Sequence, residues 1–321
     1  MGIRSQAKSV FFRLLRQAKH DERLKQGISA RDNTLILNLH RVSPDANPFW
    51  TPMHPQLFDE LLTYLAKSFV ITSLEGLNEL RPEVPAVVLS FDDGYKDFVE
   101  YAMPVMRRHK VKANINVIPM CVESGVPIWN VRLYDFLNRS PRSLIKQIRV
   151  PGFEGELEGD GDEEKARFGA RLSRFLKMRP RSEREALWPH IEATMDKADD
   201  RNGTVMMNAE DVKAASSEHE VGVHSYSHES MAYESEEFFQ DDLAKCRVFF
   251  AETLRLPLTV YAFPNGSYRS SQVQTLLDGG MKQVLLVDER RARRPARVFP
   301  RLTISGSSVD EIVFQSLGYR R

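Results

Sequence analysis

The sequence predicts an α/β protein whose parallel strands curl into a closed or nearly closed barrel. Short apolar, β-branched-rich runs bounded by Pro and Gly alternate with segments of helical spacing, the βαβαβ signature of a parallel sheet with right-handed crossovers. Two of those runs end in residue types able to do chemistry, Asp92-Asp93 and the pair His224 and His228. The C-terminal ends of such strands are where α/β proteins keep their sites. At 321 residues the chain has room for one large α/β domain or two small ones.

Taken in order, residues 2–19 place Ile3, Ala7, Val10, Phe11, Leu14, Leu15 and Ala18 at three- and four-residue steps among five cations, with no acid before Asp21. This basic amphipathic helix, within an N-terminal segment of residues 1–30, packs its stripe either on its own domain or on an anionic membrane surface through residues 1–20. Residues 34–40 read as a first strand ending at His40, followed by a loop through Ser43-Pro44 and Asn47-Pro48. Leu57, Phe58, Leu61, Leu62 and Leu65 then carry a helical period; residues 69–71 make a short strand and 73–77 a brief helix. Residues 85–89 form the buried strand that delivers Asp92, an amphipathic helix runs from Gly94 to Arg108, and residues 113–118 make another strand.

From about 121 to 208 the rhythm breaks. A helix-like piece at 128–137, a Gly- and acid-rich stretch at 152–164 that reads as a solvated loop, and helical spacing from Phe168 to Trp188 together read as an insertion in a single barrel domain spanning 31–321. The alternation resumes with strands at 220–223, 258–263, 283–287 and 301–304, with helices at 238–254 and 271–277 between them.

The bulk composition excludes several functions. Lys and Arg total 45 against 44 Asp and Glu, so there is no global electrostatic case for nucleic acid. Two distant cysteines, Cys121 and Cys246, make neither a disulfide framework nor a Cys-rich zinc site and read as small buried hydrophobes. No apolar run approaches the ~20 residues that span a bilayer, and no signal-type apolar core stands at the N-terminus. The expected location is cytoplasmic, with contact at the inner membrane face left open by the N-terminal helix.

His224 and His228, four residues apart, would on a helical turn present both imidazoles on one face, the spacing that lets two nitrogens reach one ion. Surface histidines are the plainer alternative. Because the pair and Asp92-Asp93 both follow buried strands, they can converge at one barrel mouth, where an Asp with two His leaves coordination positions open for water and substrate.

These motifs resemble the polysaccharide deacetylases of the NodB homology type (carbohydrate esterase family 4): SFDDG matches the first motif, HSYSH the H(S/T)xxH motif, and YAFPNGSY the Pro-containing third motif. The likeness covers roughly residues 34–118 and 208–305. It implies a distorted (β/α)7 barrel, with Asp93, His224 and His228 as ligands to a divalent metal, usually Zn2+, and Asp92 as catalytic base. It also implies that the backbone N–H at Asn265 steadies the oxyanion. The family's Leu-x-His motif is missing from the C-terminus. Leu37-Asn38-Leu39-His40 resembles it at the front, as in the subgroup with that strand permuted to the N-terminus, which makes His40 the catalytic acid.

Two departures stand out. The arginine usual in the third motif is Ala262 here, and Arg301 is the candidate substitute, since a guanidinium beside a base carboxylate lowers its pKa and fixes its position. No convincing counterpart of the fourth motif is present, Asp288 being the candidate. The activity implied is N-deacetylation of a sugar in a polysaccharide or in its lipid- or nucleotide-linked precursor. The alternatives are deformylation of a lipid-linked formamido sugar, or a sugar-binding barrel that has lost catalysis, for which Ala262 is the evidence.

Overall fold

The computed structural model describes residues 3–28, 33–45, 47, 49, 51–81, 83–159, 161–198 and 203–319. Gly2, Pro48 and the expected boundary at residue 30 lie outside them, as do the side chains of Ile3 and Arg4. Nine strands form one sheet: β1 (Thr34–Leu39), β2 (Val70–Thr72), β3 (Ala86–Asp93), β4 (Asn114–Val117), β5 (Glu220–Val223), β6 (Val260–Ala262), β7 (Gln283–Leu285), β8 (Val298–Phe299) and β9 (Leu302–Thr303). Their order is β8-β7-β6-β5-β4-β3-β1-β9, every pairing is parallel, and β2 pairs with the start of β3. Since β8 pairs with β7 and β9 with β1, the single run 298–303 joins the two ends of the sheet. Counting it as one split strand, β1, β3, β4, β5, β6, β7 and β8/β9 are seven staves of a distorted (β/α)7 barrel, with Pro300-Arg301 at the split.

The period of two along each stave sorts the residues. Leu35, Leu37, Leu39, Val87, Leu89, Ile115, Val117 and Val223 point outward into the main core. There they meet α3 (Pro55–Leu65), α4 (Met103–His109), α10 (Ala209–Ser216), α11 (Glu236–Val248) and α12 (Ser270–Asp278), counted in chain order from α1 (Ile3–Gln17) and α2 (His20–Gln26). Inward, Ile36, Val88, Val260 and Leu285 fill the base of the barrel. Above them along the same staves come Asn38, Ser90, Asn116 and Arg301, all buried.

Between β4 and β5 lie α5 (Pro119–Ser124), α6 (Trp129–Arg139), α7 (Arg142–Ile145), α8 (Asp162–Lys177) and α9 (Arg181–Met195). The helical spacing expected to run from Phe168 to Trp188 is two helices, broken at Met178-Arg179-Pro180, because the residue before a proline is biased out of the α region. Leu133, Phe136, Leu137, Leu172, Leu176 and Ile191 pack these helices around a core of their own.

The sequence reading missed α10, α2 and the C-terminal α13 (Val309–Ser316). Asn208 caps α10 in a capping box with Asp211, and Ser308 caps α13. Helix α1 lies against α13: Phe12 packs on Phe314 at 5.5 Å, Arg16 meets Asp310 at 2.7 Å and Lys8 meets Glu311. Phe12, absent from the expected stripe, is the buried anchor, while Val10 and Leu14 of the stripe are 51% and 59% exposed. Val10 and Leu14 thus face solvent, while Phe11 and Leu15 of the same stripe are half-buried. No helix among the described residues is long and apolar enough to cross a membrane.

Candidate active site

The staves deliver their chemistry at one end. Asp92 and Asp93 end β3, His224 follows β5, His40 follows β1, and Asn265 follows β6; these five and His228 together line one cavity of about 190 Å³. Asp93 and Gly94 both take φ 78°, a reversal that carries the chain off the barrel rim. A Cβ on Gly94 would come within 3.3 Å of Val117, so this position has room for glycine only at a cost for any other residue.

Arg301 sits beneath that cavity, completely buried. Its guanidinium forks Asp92, Nη1 to Oδ1 at 2.8 Å and Nη2 to Oδ2 at 2.7 Å, while Nη1 also reaches Ser90 Oγ and Nε donates to the Leu286 carbonyl. Asn116 Nδ2 donates to the same Asp92 Oδ1 at 2.8 Å. Ala262, buried on β6, brings no cation to the interior, and the guanidinium that meets Asp92 comes from Arg301 instead. Burial would raise the Asp92 carboxyl, but Arg301, His224 and His40 bring it down to about 2. Both Asp92 oxygens are therefore occupied and charged.

Asp93 is differently placed. Oδ2 accepts the Tyr95 hydroxyl at 2.9 Å, whereas Oδ1 is buried, accepts no hydrogen bond, and lies 3.4 Å from His228 Nε2 and 3.6 Å from His224 Nε2. Burial opposes its charge too, yet His228, His40 and His224 hold this carboxyl well below the usual range. Nδ1 of His224 faces the Ala262 carbonyl at 2.8 Å, which fixes the proton there and turns the Nε2 lone pair to Asp93. Burial keeps His224 neutral, down to about 4.

The histidine segment is not the helical turn expected from its spacing. It is a loop in which Ser225 (φ 54°) and His228 (φ 61°) are left-handed. Ser225 Oγ accepts from the His228 and Glu229 amides, and the buried Asp242 carboxylate accepts from the Tyr226 and Ser227 amides, so side chains replace the helical ladder. From α9, Arg184 forks the buried Glu229 at 2.6 and 2.7 Å, tying the inserted helices to the residue after His228.

Asp93, His224 and His228 present one ligand atom each, all within 4.8 Å of one another. An orphaned carboxylate oxygen facing two imidazole nitrogens is what a divalent cation with bonds of about 2.0–2.2 Å requires, and the three fit one. The fit does not extend to Asp92, whose oxygens are spoken for by Arg301. Asp288 stands apart: it accepts the Tyr268 hydroxyl and does not line the cavity.

Several residues of the site were not read from the sequence. Tyr95 follows the DDG triplet directly and could have been suspected from that position. Asn116 alternates with Asn114 in the fully buried β4, two polar residues on one side of a strand; a Cβ on the paired Gly222 would come 2.5 Å from Asn116 Oδ1, so that glycine makes room for it. Asp242 and Lys177, the latter on the cavity wall from α8, gave no sequence signal.

Residues 192–284 match the sequence model of the polysaccharide deacetylase family. No curated protein matches the chain significantly. Among solved structures the fold is similar to IcaB from Ammonifex degensii (17% identity, TM-score 0.56, covering 89% of this chain and 97% of that one). It is also similar to the Streptococcus pyogenes deacetylase PplD in complex with acetate (16%, 0.57, 89% and 99%). A third, the de-N-acetylase from Aggregatibacter actinomycetemcomitans, aligns at 13% identity and TM-score 0.51 over 84% of this chain and 93% of that one. The fold is thus that of solved polysaccharide deacetylases, and residues 192–284 carry the sequence match to that family.

Proposed function

We propose that this chain is a metal-dependent N-deacetylase that removes acetyl from an N-acetylated sugar, in a polysaccharide or in its lipid- or nucleotide-linked precursor. The observation that carries the reading is a division of labour between adjacent carboxylates. Asp93 offers a free oxygen to an Asp/His/His ligand set, while Asp92, its pKa held down at about 2 beside Arg301, is withheld from it by that fork.

A divalent ion held by Asp93, His224 and His228, most simply zinc, would supply Lewis acidity toward the amide carbonyl and lower the pKa of an attacking water. Asp92 takes the water proton as attack begins. A carboxylate this acidic does not keep a proton, which suits onward transfer to His40. The amine can depart only when protonated, and His40, on the same cavity wall, is the group that delivers the proton. Burial lowers the His40 pKa against the pull of Asp93 and Asp92, so the imidazole rests neutral and must be charged during the cycle. The backbone N–H of Asn265, left-handed at φ 57°, is assigned to the developing oxyanion.

Two features favour a lipid-linked precursor. Val10 and Leu14 of the α1 stripe face outward between basic residues, suited to an anionic membrane surface. A second cavity, of about 620 Å³, shares His40 and Thr303 with the catalytic one, is walled by Leu39, Met53 and Ile304, and reaches Lys8 of α1. The Arg301 fork counts against an inactive binding barrel, since the cation lost at Ala262 is supplied from another stave.

The test is to follow acetate and formate release in parallel from N-acetyl and N-formyl sugars carried on a polyprenyl phosphate, with and without a chelator. Acetate release abolished by chelation is expected. Formate alone would make the enzyme a deformylase, and turnover that survives chelation would contradict the mechanism.

A further inference from the structure

Within the catalytic cavity one wall is not made by the barrel. Ile128, just before α6, Asn130 and Val131 of α6 and Lys177 of α8 form it, and two of these are polar groups with unmet hydrogen-bonding capacity. Asn130 is 4% exposed and its Oδ1 is buried without a hydrogen-bond partner. Lys177, the last residue of α8, forms neither a hydrogen bond nor an ion pair with any described residue. Burial lowers its pKa and Asp93 is the charge that opposes this.

The charges of the site make Lys177 anomalous. Asp92 is matched by Arg301, and Asp93 is the one anionic member of a ligand set that suits a divalent ion. With such an ion in place no carboxylate is left for the ammonium, and a half-buried cation without a counter-charge is costly. A neutral acetamido sugar would leave it so. On a 2-acetamido sugar activated for transfer, however, the anomeric carbon next to the acetamide carries a phosphate, whereas in a polymer it carries a neutral glycosidic oxygen.

Building on the deacetylase reading, we propose that Lys177 and Asn130 form a subsite for the anomeric phosphate and an adjacent hydroxyl of a glycosyl phosphate, so that the inserted helices select an activated precursor over finished polymer. The shared chemistry is the sugar 1-phosphate. A polyprenyl diphosphate and a nucleoside diphosphate both present it, and which one is used is a matter for the second cavity beyond His40.

The experiment compares wild type with K177Q and K177R. Turnover is measured on a neutral methyl glycoside of N-acetylglucosamine, a nucleoside diphosphate derivative and a polyprenyl diphosphate derivative. A charged hydrogen bond of this kind corresponds to a preference on the order of tenfold to a hundredfold in kcat/KM for the phosphorylated substrates. K177Q should bring that ratio toward one and K177R should restore part of it. A ratio that K177Q leaves unchanged, or a wild type without preference, overturns the proposal. Calorimetric binding of N-acetylglucosamine 1-phosphate to the chelator-treated protein separates this from the reaction itself: weaker binding by K177Q supports the subsite and equal binding overturns it. Binding that depends on Lys177 in a protein that releases no acyl group would fault the hydrolase reading instead. Circular dichroism of each variant guards against misfolding.

Discussion

Arg301 and Asp92 form a fully buried, two-pronged ion pair at the floor of the cavity. Removing one partner of such a pair typically costs about 3–5 kcal/mol, because a charge is left without solvent or counter-ion. Arg301→Gln should therefore lower stability by that order in urea unfolding. Where it still folds, the acid limb of kcat/KM should move to higher pH, since burial then acts on Asp92 unopposed by the guanidinium; an unmoved limb would show that Arg301 does not set the charge of Asp92. The same pair has a signature in stability. The folded-state pKa of Asp92, about 2, lies below its ordinary value of 3.8, so its stabilising contribution is complete above about pH 4 and is lost as pH falls toward 2. That segment of the pH–stability curve, worth about 2 kcal/mol, should be missing from Asp92→Asn. The sequence made the carboxylates and histidines legible because their motifs are local. Tyr95, which holds Asp93, is legible from its place after the DDG triplet; Asn116, which holds Asp92, becomes legible through strand register, and Lys177 only through the packing of α8.

At the scale of elements, the loop that carries His224 and His228 shows why spacing alone misled. Four residues between imidazoles fit a helical turn, but Ser225 and Asp242 satisfy the amides of this segment and the two left-handed residues bring the rings together, centroids 5.0 Å apart. The Asp242 contact is made across the fold and leaves no trace in the local pattern. Buttressing comes from the insertion through Arg184 and Glu229, both buried. Arg184→Ala should destabilise the protein by about 3–5 kcal/mol, and the double replacement Arg184→Met with Glu229→Gln by clearly less, because no buried charge is then left alone. Denaturant midpoints of the three proteins check this, and equal losses in single and double variants would rule out the pairing as the cause.

For the whole molecule, the parallel alternation of strands and helices was readable, and so was a closed or nearly closed barrel, since most staves are apolar runs bounded by turn residues. The split of the last stave between the two ends of the sheet was not, because β8 and β9 are two residues each and Pro300 interrupts them. The orientation of α1 was also hidden: Phe12 lies outside the stripe that periodicity picks out, and it is Phe12 that docks on Phe314. With Val10 and Leu14 facing outward, Val10→Ser with Leu14→Ser should reduce co-sedimentation with anionic liposomes, and added salt should weaken binding by the intact protein; binding unaffected by either would remove α1 from any membrane role. The central claim is that the two adjacent aspartates do different jobs at one metal centre. Metal content and acetate release measured side by side in Asp92→Asn and Asp93→Asn test it most directly. The account predicts that Asp92→Asn retains about one equivalent of metal and loses turnover by on the order of a hundredfold or more, while Asp93→Asn loses the metal itself. Loss of metal from Asp92→Asn with its retention in Asp93→Asn, or undiminished acetate release from Asp92→Asn, would contradict it.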